Sequence, residues 1–462
     1  MTSATESYPI SPESKAIGTD WTPEALLFDV AGQPHVFIVN GSRIYGIEAD
    51  IARAMTARLE ACDPEGIDAL LASLGLDAPT FVDDRIPQAF PTRAISLAIA
   101  QKCNLGCAYC YAEGGTFGGA KKNMPDRVAA DAVRRLIGEA SPGDRVNLAF
   151  LGGEPLSNRP ALFAATELAV ELAAAKNVSV GFSITTNGTL VTPDDGAFFE
   201  RHGFAVTVSI DGIGEMHDTL RPFKGGRGSF ERIVERIRPL LGMQQRMQIS
   251  ARVTVTPRNL RLKATLDGLI NLGFHSVGFS PMLSSPTGRQ EMSRADLSEM
   301  LGQMIDCGRA FEEQVIAGRR YPFSNMSSAM QEIHKGTHRP YPCGAGGPYL
   351  GVSAEGDFFA CHRFVGDETG AMGNVANGVD ADRQRDWLHR RHVHFQEPCK
   401  SCWARYLCGG GCHYEVIHRG RPACDYIRGW LRYCLQAYVR LLEARPDYFG
   451  HALAGSGTTV GR

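Results

Sequence analysis

The stretch of this chain that is best suited to chemistry is a short cysteine-rich loop. Cys103, Cys107 and Cys110 stand at CxxxCxxC spacing directly after an apolar run from Ala94 to Ala100. Cysteine thiolates bind iron–sulfur clusters, and a 4Fe–4S cluster normally takes four of them. Three cysteines would therefore leave one iron open to an outside ligand. The alternatives are a zinc site, which usually draws a fourth Cys or His ligand, or three buried structural cysteines.

Three further motifs follow the cysteine loop, and each ends an apolar run. They are Gly152-Gly153-Glu154-Pro155, Thr186-Asn187-Gly188 and Ser209-Ile210-Asp211-Gly212. Their order and positions, together with the aromatic Tyr109 before the last loop cysteine, resemble the radical SAM superfamily over about Ile95 to Tyr438. The resemblance implies a 4Fe–4S cluster on the three loop cysteines and S-adenosylmethionine (SAM) on the open iron. Reductive cleavage of SAM would give a 5′-deoxyadenosyl radical that abstracts a hydrogen atom from the substrate.

The resemblance also implies which residues hold SAM. These are Tyr109 and Leu283 at the adenine, Gly152, Gly153 and Glu154 at the amine, Ser209 at the ribose or methionine portion and Arg221 at the carboxylate, with Asn187 and Asp211 as further candidates. A planar guanidinium suits a carboxylate, although Arg221 could equally form a surface salt bridge. A glycine pair after a strand is also compatible with a simple turn.

A second group of cysteines fills the C-terminal part of the chain, where eight of the thirteen lie between Cys343 and Cys434. CxxC pairs are common zinc ligands, so zinc is the alternative here. The order of these cysteines matches the SPASM extension of radical SAM enzymes, which houses two auxiliary 4Fe–4S clusters. By that pattern auxiliary cluster I takes Cys343, Cys361 and Cys412, and auxiliary cluster II takes Cys399, Cys402, Cys408 and Cys424. Cluster I would either keep an open iron for a substrate thiolate or be completed by Cys434.

Composition places the chain among cytoplasmic proteins. Its 462 residues carry a formal net charge of −2, which gives no indication of a nucleic acid or an anionic membrane as partner. The first twenty residues are charged and lack a long apolar stretch, so they do not resemble a signal peptide. No run reaches the roughly 18 apolar residues of a membrane helix. Many cysteines in a cytosolic protein indicate metal binding or catalysis rather than disulfides.

Strand and helix patterns alternate from residue 94 onward. The predicted strands are Ile95–Ala100, Val146–Leu151, Val178–Thr185, Ala205–Ile210, Ile249–Val255 and Ser276–Ser280, and the helices between them include Asp126–Ala140, Pro160–Ala175, Ser229–Leu241 and Leu260–Leu272. Repeated βα units predict a parallel sheet with right-handed crossovers. Six units predict an α/β fold, a partial (β/α)6 TIM-type barrel of the radical SAM kind. Active sites of such barrels lie at the carboxyl ends of the strands, where every motif above falls.

The N-terminal region is predicted to form a separate module. Residues 1–24 are expected to be a flexible arm, and Asn40-Gly41 between two β-prone runs predicts a hairpin. Asp50 is expected to cap a helix that ends near Ala61, and a second helix is predicted from Gly66 to Leu76. A hairpin followed by helices resembles the winged-helix domain that binds leader peptides in peptide-modifying enzymes. The alternative is a module without a ligand.

The remaining predictions concern the C-terminal half. They are a helix from Arg294 to Ala317, a connector from Tyr321 to Tyr341, a hairpin over residues 349–360 with its turn at Glu355-Gly356, a last helix from Tyr426 to Glu443 and a disordered tail from Gly455. The predicted domains are residues 1–85 (arm and winged-helix-like module), 86–320 (partial barrel), 321–450 (Cys-rich SPASM domain and helix) and 451–462 (tail).

Two stretches indicate what the enzyme would modify. Residues 402–413 and 424–430 resemble peptide thioether maturases, most of all the quinohemoprotein amine dehydrogenase maturation protein family. That family links cysteine sulfur to a methylene carbon of Asp or Glu in the small γ subunit. The resemblance implies a ribosomally made peptide or small subunit as substrate, recognised through its leader, and an electron donor such as flavodoxin or ferredoxin. Asp211 and His362 are candidate catalytic residues, with Arg363 and His217 as further polar helpers.

Three alternatives stay open at this point. Anaerobic sulfatase maturases carry an acidic base directly after the second SPASM cysteine, where this chain has His362. A peptide epimerase or a carbon–carbon cross-linking enzyme would use the same cofactors. A non-enzymatic iron–sulfur scaffold that binds a peptide would not need the SAM motifs.

Overall fold

The computed structural model describes residues 24–77, 79–87 and 90–450. The predicted tail and all but the last residue of the predicted arm lie outside the described residues. Within these ranges, no helix combines the length and the apolar character that crossing a membrane requires.

The N-terminal module is a three-stranded antiparallel sheet followed by two helices. Its elements are β1 (Ala25–Val30), β2 (Gln33–Ile38), β3 (Arg43–Gly46), α1 (Ala49–Glu60) and α2 (Pro64–Ser73). The predicted hairpin is β2–β3, whereas β1 was not predicted. Two helix starts were wrong: Glu48 is the N-cap of α1, with Asp50 inside its first turn, and Asp63 caps α2 by accepting from Gly66 N at 2.9 Å.

Six parallel strands form the centre of the molecule, as predicted. The strands of this region are β4 (Ala94–Gln101), the short antiparallel β5 (Lys122–Asn123), β6 (Arg145–Gly152), β7 (Ser179–Thr186), β8 (Ala205–Ser209), β9 (Gln248–Val255) and β10 (Ser276–Pro281). The helices are α3 (Asp126–Glu139), α4 (Arg159–Lys176), α5 (Pro193–His202), α6 (Glu215–Leu220), α7 (Phe230–Leu241), α8 (Leu262–Asn271) and α9 (Arg294–Ile316). The strand order β10-β9-β8-β7-β6-β4 confirms the predicted barrel-type fold.

Hydrophobic periodicity explains how the helices cover this sheet. In α3, Val133, Leu136 and Ile137 recur at helical spacing and are almost fully buried. Burial of such a side chain stabilises the fold by roughly 1.5–3 kcal/mol. In β9, Ile249, Ala251, Val253 and Val255 are buried, while the alternate residues face the other side of the sheet, which is the lumen of the barrel. The sheet thus separates an apolar outer layer from a more polar lumen.

The C-terminal region extends the same sheet. Its elements are α10 (Ser324–His334), β11 (Tyr349–Val352), β12 (Asp357–Phe359), β13 (Ala371–Asn374), β14 (Gly378–Val379), α11 (Ala381–Arg391), α12 (Arg405–Cys408), α13 (His413–Arg419) and α14 (Cys424–Ala444). Short 3-10 turns lie at Glu113–Gly115, Pro155–Asn158, His362–Phe364, Glu368–Gly370 and Val393–Phe395. β11 pairs with β4 in parallel and with β12 in the predicted hairpin. The predicted connector over residues 321–341 was wrong, because it contains α10.

Candidate active site

The three loop cysteines lie together just beyond the carboxyl end of β4. Burial, opposed by Arg221 and assisted by Cys110 and Cys103, raises the pKa of the Cys107 thiol to about 12. Leu105 N donates to the Cys103 sulfur at 3.4 Å. Thiols that are buried together lose their protons most readily to a metal centre, which binds them as thiolates. This donor set fits the iron–sulfur cluster predicted from the spacing.

Gly152 and Gly153 seat the end of β6 against the cysteine loop. Gly153 N donates to Ala100 O at 2.8 Å. A Cβ atom on Gly153 would lie 2.3 Å from the Lys102 carbonyl oxygen and 2.8 Å from the Gly115 Cα atom. The backbone that needs the space beside Gly153 is the start of the cysteine loop.

The Glu154 carboxylate is fully buried and ties the end of β6 to the end of β7. Its Oε1 atom accepts from Leu156 N at 3.0 Å and from Thr186 Oγ1 at 2.8 Å, and its Oε2 atom accepts from Asn187 N at 2.8 Å. Burial raises the pKa of this carboxyl to about 7 against those hydrogen bonds. Because each carboxylate oxygen has two lone pairs, only Oε2 keeps a place for an outside donor such as the SAM amine.

Asn187 holds the first part of the cysteine loop. Its Nδ2 atom donates to Asn104 Oδ1 at 2.9 Å and lies 3.6 Å from the Cys103 sulfur. Asn104 in turn donates to Thr189 Oγ1 at 2.8 Å. Asn104 was not singled out from the sequence, and its place directly after Cys103 is the signal that could have found it.

Asp211 organises three segments at the mouth of the barrel. Its carboxylate is fully buried, and its Oδ2 atom accepts from the Tyr109 hydroxyl and, at 2.7 Å, from Arg221 Nε. Its Oδ1 atom accepts from Thr254 N at 2.8 Å. The Arg221 guanidinium lies 5.4 Å from the centre of the Tyr109 ring. This environment gives Asp211 a role in positioning Arg221 and Tyr109.

Arg221 keeps part of its guanidinium available. Only its Nε atom has a partner among residues 24–77, 79–87 and 90–450, so both Nη atoms can still bind a carboxylate. The predicted contact with the SAM carboxylate therefore stays compatible with the pairing to Asp211, and the alternative of a surface salt bridge is wrong because the Arg221 side chain is only 12% exposed.

His217 supports this pair from behind. Asp211 N donates to His217 Nδ1 at 3.1 Å, so Nε2 carries the proton and donates to Ser229 Oγ at 3.0 Å. The Ser229 hydroxyl donates to Arg221 O at 2.6 Å. Burial lowers the pKa of His217 to about 4. His217 is a neutral structural link rather than a helper in contact with substrate.

The two remaining predicted SAM contacts, Ser209 and Leu283, lie in different surroundings. Ser209 ends β8 and faces the lumen with a half-buried side chain. Leu283, predicted at the adenine, lines a cavity beside the C-terminal cysteine Cys412. Met282, its neighbour, packs against Tyr109 instead. The structure thus assigns Met282, not Leu283, to the place next to Tyr109.

The cysteines predicted for auxiliary cluster I come together from distant parts of the chain. Burial, with smaller contributions from Cys412 and Cys343, raises the pKa of Cys361 to about 12. Arg363 Nη1 lies 3.9 Å from the Cys412 sulfur and donates to Glu415 Oε1 at 2.6 Å. Three thiols beside an ion-paired arginine form a second metal-binding donor set, which fits a cluster with one open iron.

The cysteines predicted for auxiliary cluster II form a closed group of four. Cys399, Cys402, Cys408 and Cys424 line a cavity of about 80 Å³. Burial, opposed by Arg421, raises the pKa of Cys399 to about 12, and the other three thiols add to the effect. Four thiols on one cavity form a donor set that fits the predicted 4Fe–4S cluster.

Cys434 does not belong to either group. It is fully buried in α14, and its pKa is raised well above the usual value by burial and by Glu312. The Glu312 carboxylate accepts from Tyr433 OH and from Arg440 on the same interface. The alternative in which Cys434 completes auxiliary cluster I is therefore wrong.

His362 lies between β4 and the auxiliary cysteines. Its Nδ1 atom is 2.8 Å from the Tyr349 hydroxyl, which is 2.8 Å from Ser96 Oγ on β4. The Tyr111 ring lies 5.7 Å from the His362 ring and 5.6 Å from the Arg363 guanidinium. Tyr111 and Tyr349 were not predicted as site residues. The position of Tyr111 directly after the last loop cysteine could have indicated it.

Comparison with known proteins points to one superfamily. The family model described as the radical SAM superfamily matches residues 97–246. A serine-type anaerobic sulfatase-maturating enzyme from Klebsiella aerogenes is 25% identical over 363 residues, which cover 76% of this chain and 86% of that enzyme.

Two solved structures share the fold. Native anSMEcpe with bound AdoMet and Kp18Cys peptide matches with a TM-score of 0.62 at 22% identity over 77% of this chain and 99% of that chain. SuiB from Streptococcus suis matches with a TM-score of 0.51 at 13% identity over 87% of this chain and 97% of that chain. The family model over residues 97–246, the ordered motifs and the fold agree, and they identify a radical SAM enzyme that uses SAM and 4Fe–4S clusters.

Proposed function

We propose that this enzyme forms thioether cross-links in a peptide, joining a cysteine sulfur to a methylene carbon of Asp or Glu in the γ subunit of a quinohemoprotein amine dehydrogenase. The observation that carries the proposal is that three thiols, Cys343, Cys361 and Cys412, lie near one another beside the barrel. A 4Fe–4S cluster held by three thiolates would keep one iron open. A substrate thiolate could occupy that position. The proposal also rests on the resemblance of residues 402–413 and 424–430 to thioether maturases.

Different residues around the cysteine loop would hold the cluster and SAM. SAM and the loop cluster together supply the radical that removes a hydrogen atom from the substrate carbon. Cys103, Cys107 and Cys110 hold the cluster, while Asp211 fixes Arg221 for the SAM carboxylate. The hydrogen-bonded pair keeps the arginine oriented before SAM arrives, which lowers the entropic cost of binding.

The cross-link itself requires the loss of two hydrogens from the peptide. One hydrogen atom would pass from the methylene carbon to the 5′-deoxyadenosyl radical, which becomes 5′-deoxyadenosine, and the thiol proton would pass to solvent. The carbon–sulfur bond then forms with release of one electron, which the auxiliary cysteine groups are suited to accept as iron–sulfur centres. Arg363 lies beside Cys412 and stabilises the negative charge of thiolates at that site.

The N-terminal module is proposed to hold the leader of the substrate. β3 is the outer strand of its sheet in the described part of the chain, so its free edge can pair with an extended peptide. A groove of about 610 Å³ runs beside it and is bordered by Arg43 and Tyr45 on one side and by His334 and Tyr438 on the other. A peptide bound there would leave its downstream part free to reach the barrel.

A second candidate is a sulfatase-type maturase, favoured by the 25% identity to the Klebsiella enzyme over most of this chain. Such an enzyme is expected to have an acidic base directly after Cys361, and this chain has His362 hydrogen-bonded to Tyr349 at that place. The lack of a carboxylate there weighs against that reaction. The non-enzymatic scaffold is not retained, because the SAM motifs and the barrel are both present.

The test is a substrate comparison with anaerobically reconstituted, full-length enzyme. The γ subunit with its leader and a sulfatase peptide that carries the modifiable cysteine would be incubated with SAM and dithionite and analysed by mass spectrometry. We expect loss of two hydrogens per link in the γ subunit, with the linked cysteines resistant to alkylation. Formylglycine in the sulfatase peptide without any γ-subunit product would overturn the proposal. The Cys103/Cys107/Cys110→Ala variant is the control and should give neither product.

A further inference from the structure

One charged side chain in the barrel has no role in the site described above. Arg252 lies on β9, and its neighbours Ala251 and Val253 are buried on the outer face of the sheet. Arg252 therefore points to the opposite face, into the lumen, where its side chain is exposed. In register, it pairs with Ser209 on β8 and with Gly278 on β10. It stands at the level of Ser209, the residue predicted to contact SAM.

The strands around Arg252 leave room for its guanidinium. A Cβ atom on Gly278 would lie 3.5 Å from Arg252 Nη1 and 2.5 Å from Ser324 Oγ. A larger residue at position 278 would therefore crowd both side chains. The glycine keeps the space beside the guanidinium open.

Arg252 has no hydrogen-bond or ion-pair partner among residues 24–77, 79–87 and 90–450. The surrounding protein desolvates the guanidinium in part and lowers its pKa from the ordinary value. An arginine that opens onto the lumen without a protein partner is available to bind an anion there. Two carboxylates at this end of the barrel, Glu154 and Asp211, are already bound by protein donors.

The opposite wall of the lumen adds positive charge rather than negative charge. Burial and the charges of Arg363 and Arg252 lower the pKa of His362 to about 4, which places both arginines near this imidazole. Arg363 is neutralised by Glu415, with an Nη1–Oε1 distance of 2.6 Å. Arg252 therefore differs from Arg363 and Arg221, because among the described residues it has no carboxylate partner.

We propose that Arg252 binds the side-chain carboxylate of the substrate residue that enters the barrel, and that it selects Asp or Glu over residues with neutral side chains. A guanidinium binds a carboxylate through two parallel hydrogen bonds, which fixes both the position and the orientation of the group. The carboxylate would then lie one strand away from Ser209, and its methylene group would be held on the cofactor side. This inference rests on the proposed function and names the substrate class of the same site.

The experiment measures binding, not turnover. The probes are N-acetyl-L-aspartate methylamide and N-acetyl-L-asparagine methylamide, each with a ¹³C label at the side-chain carbonyl carbon. Line broadening of that signal by the reduced, paramagnetic holoenzyme reports binding near the cluster. The variants are Arg252→Gln, Arg252→Lys and the control Arg238→Gln, which removes the same charge from the exposed face of α7.

Wild-type enzyme and Arg238→Gln should bind the aspartate probe on the order of tenfold or more tightly than the asparagine probe, because a hydrogen bond between two charged groups is stronger than one to a neutral amide. Arg252→Gln should lose this preference, and Arg252→Lys should keep part of it because it retains the charge without the second hydrogen bond. Equal binding of the two probes by wild-type enzyme, or an unchanged preference in Arg252→Gln, would overturn the inference. Iron content and SAM binding of each variant verify that it is folded, and if Arg252→Gln fails this check, Arg252→Lys decides.

The same variants separate this inference from the proposed function. If wild-type enzyme prefers the aspartate probe but forms no γ-subunit product, the thioether proposal is rejected and the carboxylate site is kept. The role of Arg252 alone would be rejected by two results together. Arg252→Gln would cross-link the γ subunit normally, and an Asp→Asn change at the linked position of the substrate would reduce cross-linking equally in Arg252→Gln and in wild-type enzyme.

Discussion

Arg221 Nε donates a hydrogen bond of 2.7 Å to the Oδ2 atom of Asp211, and both side chains are buried beside the cysteine loop. Removal of one partner from a buried ion pair is costly because the remaining charge is left uncompensated. The same pair leaves the Arg221 Nη atoms free for the SAM carboxylate. Its geometry therefore affects both the stability of the barrel mouth and the affinity for SAM.

The first prediction concerns Asp211→Asn. We expect SAM to bind about 10- to 100-fold more weakly, because Arg221 loses the charge-assisted hydrogen bond that orients it. Titration of the cluster EPR signal with SAM measures the affinity. Asp131→Asn, which breaks an exposed ion pair with Arg134, should leave it unchanged. Wild-type affinity in Asp211→Asn would remove the positioning role.

The second prediction concerns Gly153→Ala. The added Cβ would lie 2.3 Å from the Lys102 carbonyl oxygen, so the start of the cysteine loop must shift. We expect the reconstituted variant to lose about four irons, the content of the loop cluster, and to keep the auxiliary clusters. Iron and sulfide analysis provides the measurement.

Gly138→Ala is the matched control for that variant. Gly138 lies in α3, where an added Cβ would meet no atom within 4 Å. It should keep its iron and be slightly more stable, by about 0.4–1 kcal/mol. A full complement of iron in Gly153→Ala would show that the loop tolerates the shift.

The third prediction is a pH dependence of stability caused by His217. Its pKa is about 4 in the folded protein against 6.5 ordinarily, so the unfolded chain binds the proton first as the pH falls. The stabilisation is fully present above pH 6.5 and decreases between pH 6.5 and 4, by up to about 3 kcal/mol. His217→Asn should show a shallower loss over this range in anaerobic urea unfolding.

An exposed histidine provides the comparison for that experiment. His389 lies on the exposed face of α11. His389→Asn should keep the wild-type dependence of the free energy of unfolding on pH. If His217→Asn and wild-type protein lost the same free energy of unfolding between pH 6.5 and pH 5, His217 would not be the group that titrates.

The sequence was sufficient for the barrel and for the place of its motifs. Apolar runs separated by amphipathic helices predicted a parallel sheet, and parallel strands bring their carboxyl ends to one edge. That rule alone put Gly153, Asn187 and Ser209 at one site. The grouping of the C-terminal cysteines came from a resemblance in their order, because spacing does not determine which thiols meet in space.

Other features depend on contacts that no local pattern contains. α10 was missed because it is short and derives its stability from tertiary packing of Met326, Met330 and Ile333, which are buried. Leu283 and Met282 are adjacent, and only the loop conformation decides which of them meets Tyr109. The positioning role of Asp211 was not predicted, because its donors Tyr109, Arg221 and Thr254 come from separate segments that no local pattern brings together.

The fourth prediction separates Cys434 from the cluster ligands. Cys434→Ala should keep the full iron content, because its thiol lies among Glu312, Tyr433 and the packed faces of α9 and α14. Its effect should instead appear as a loss of stability of roughly 1–3 kcal/mol, which is usual for truncation of a buried side chain. Cys361→Ala, by contrast, should lose auxiliary cluster I and retain the cluster on the cysteine loop. Iron analysis and EPR of both variants distinguish the two outcomes, and a loss of about four irons in Cys434→Ala would return this thiol to the ligand set.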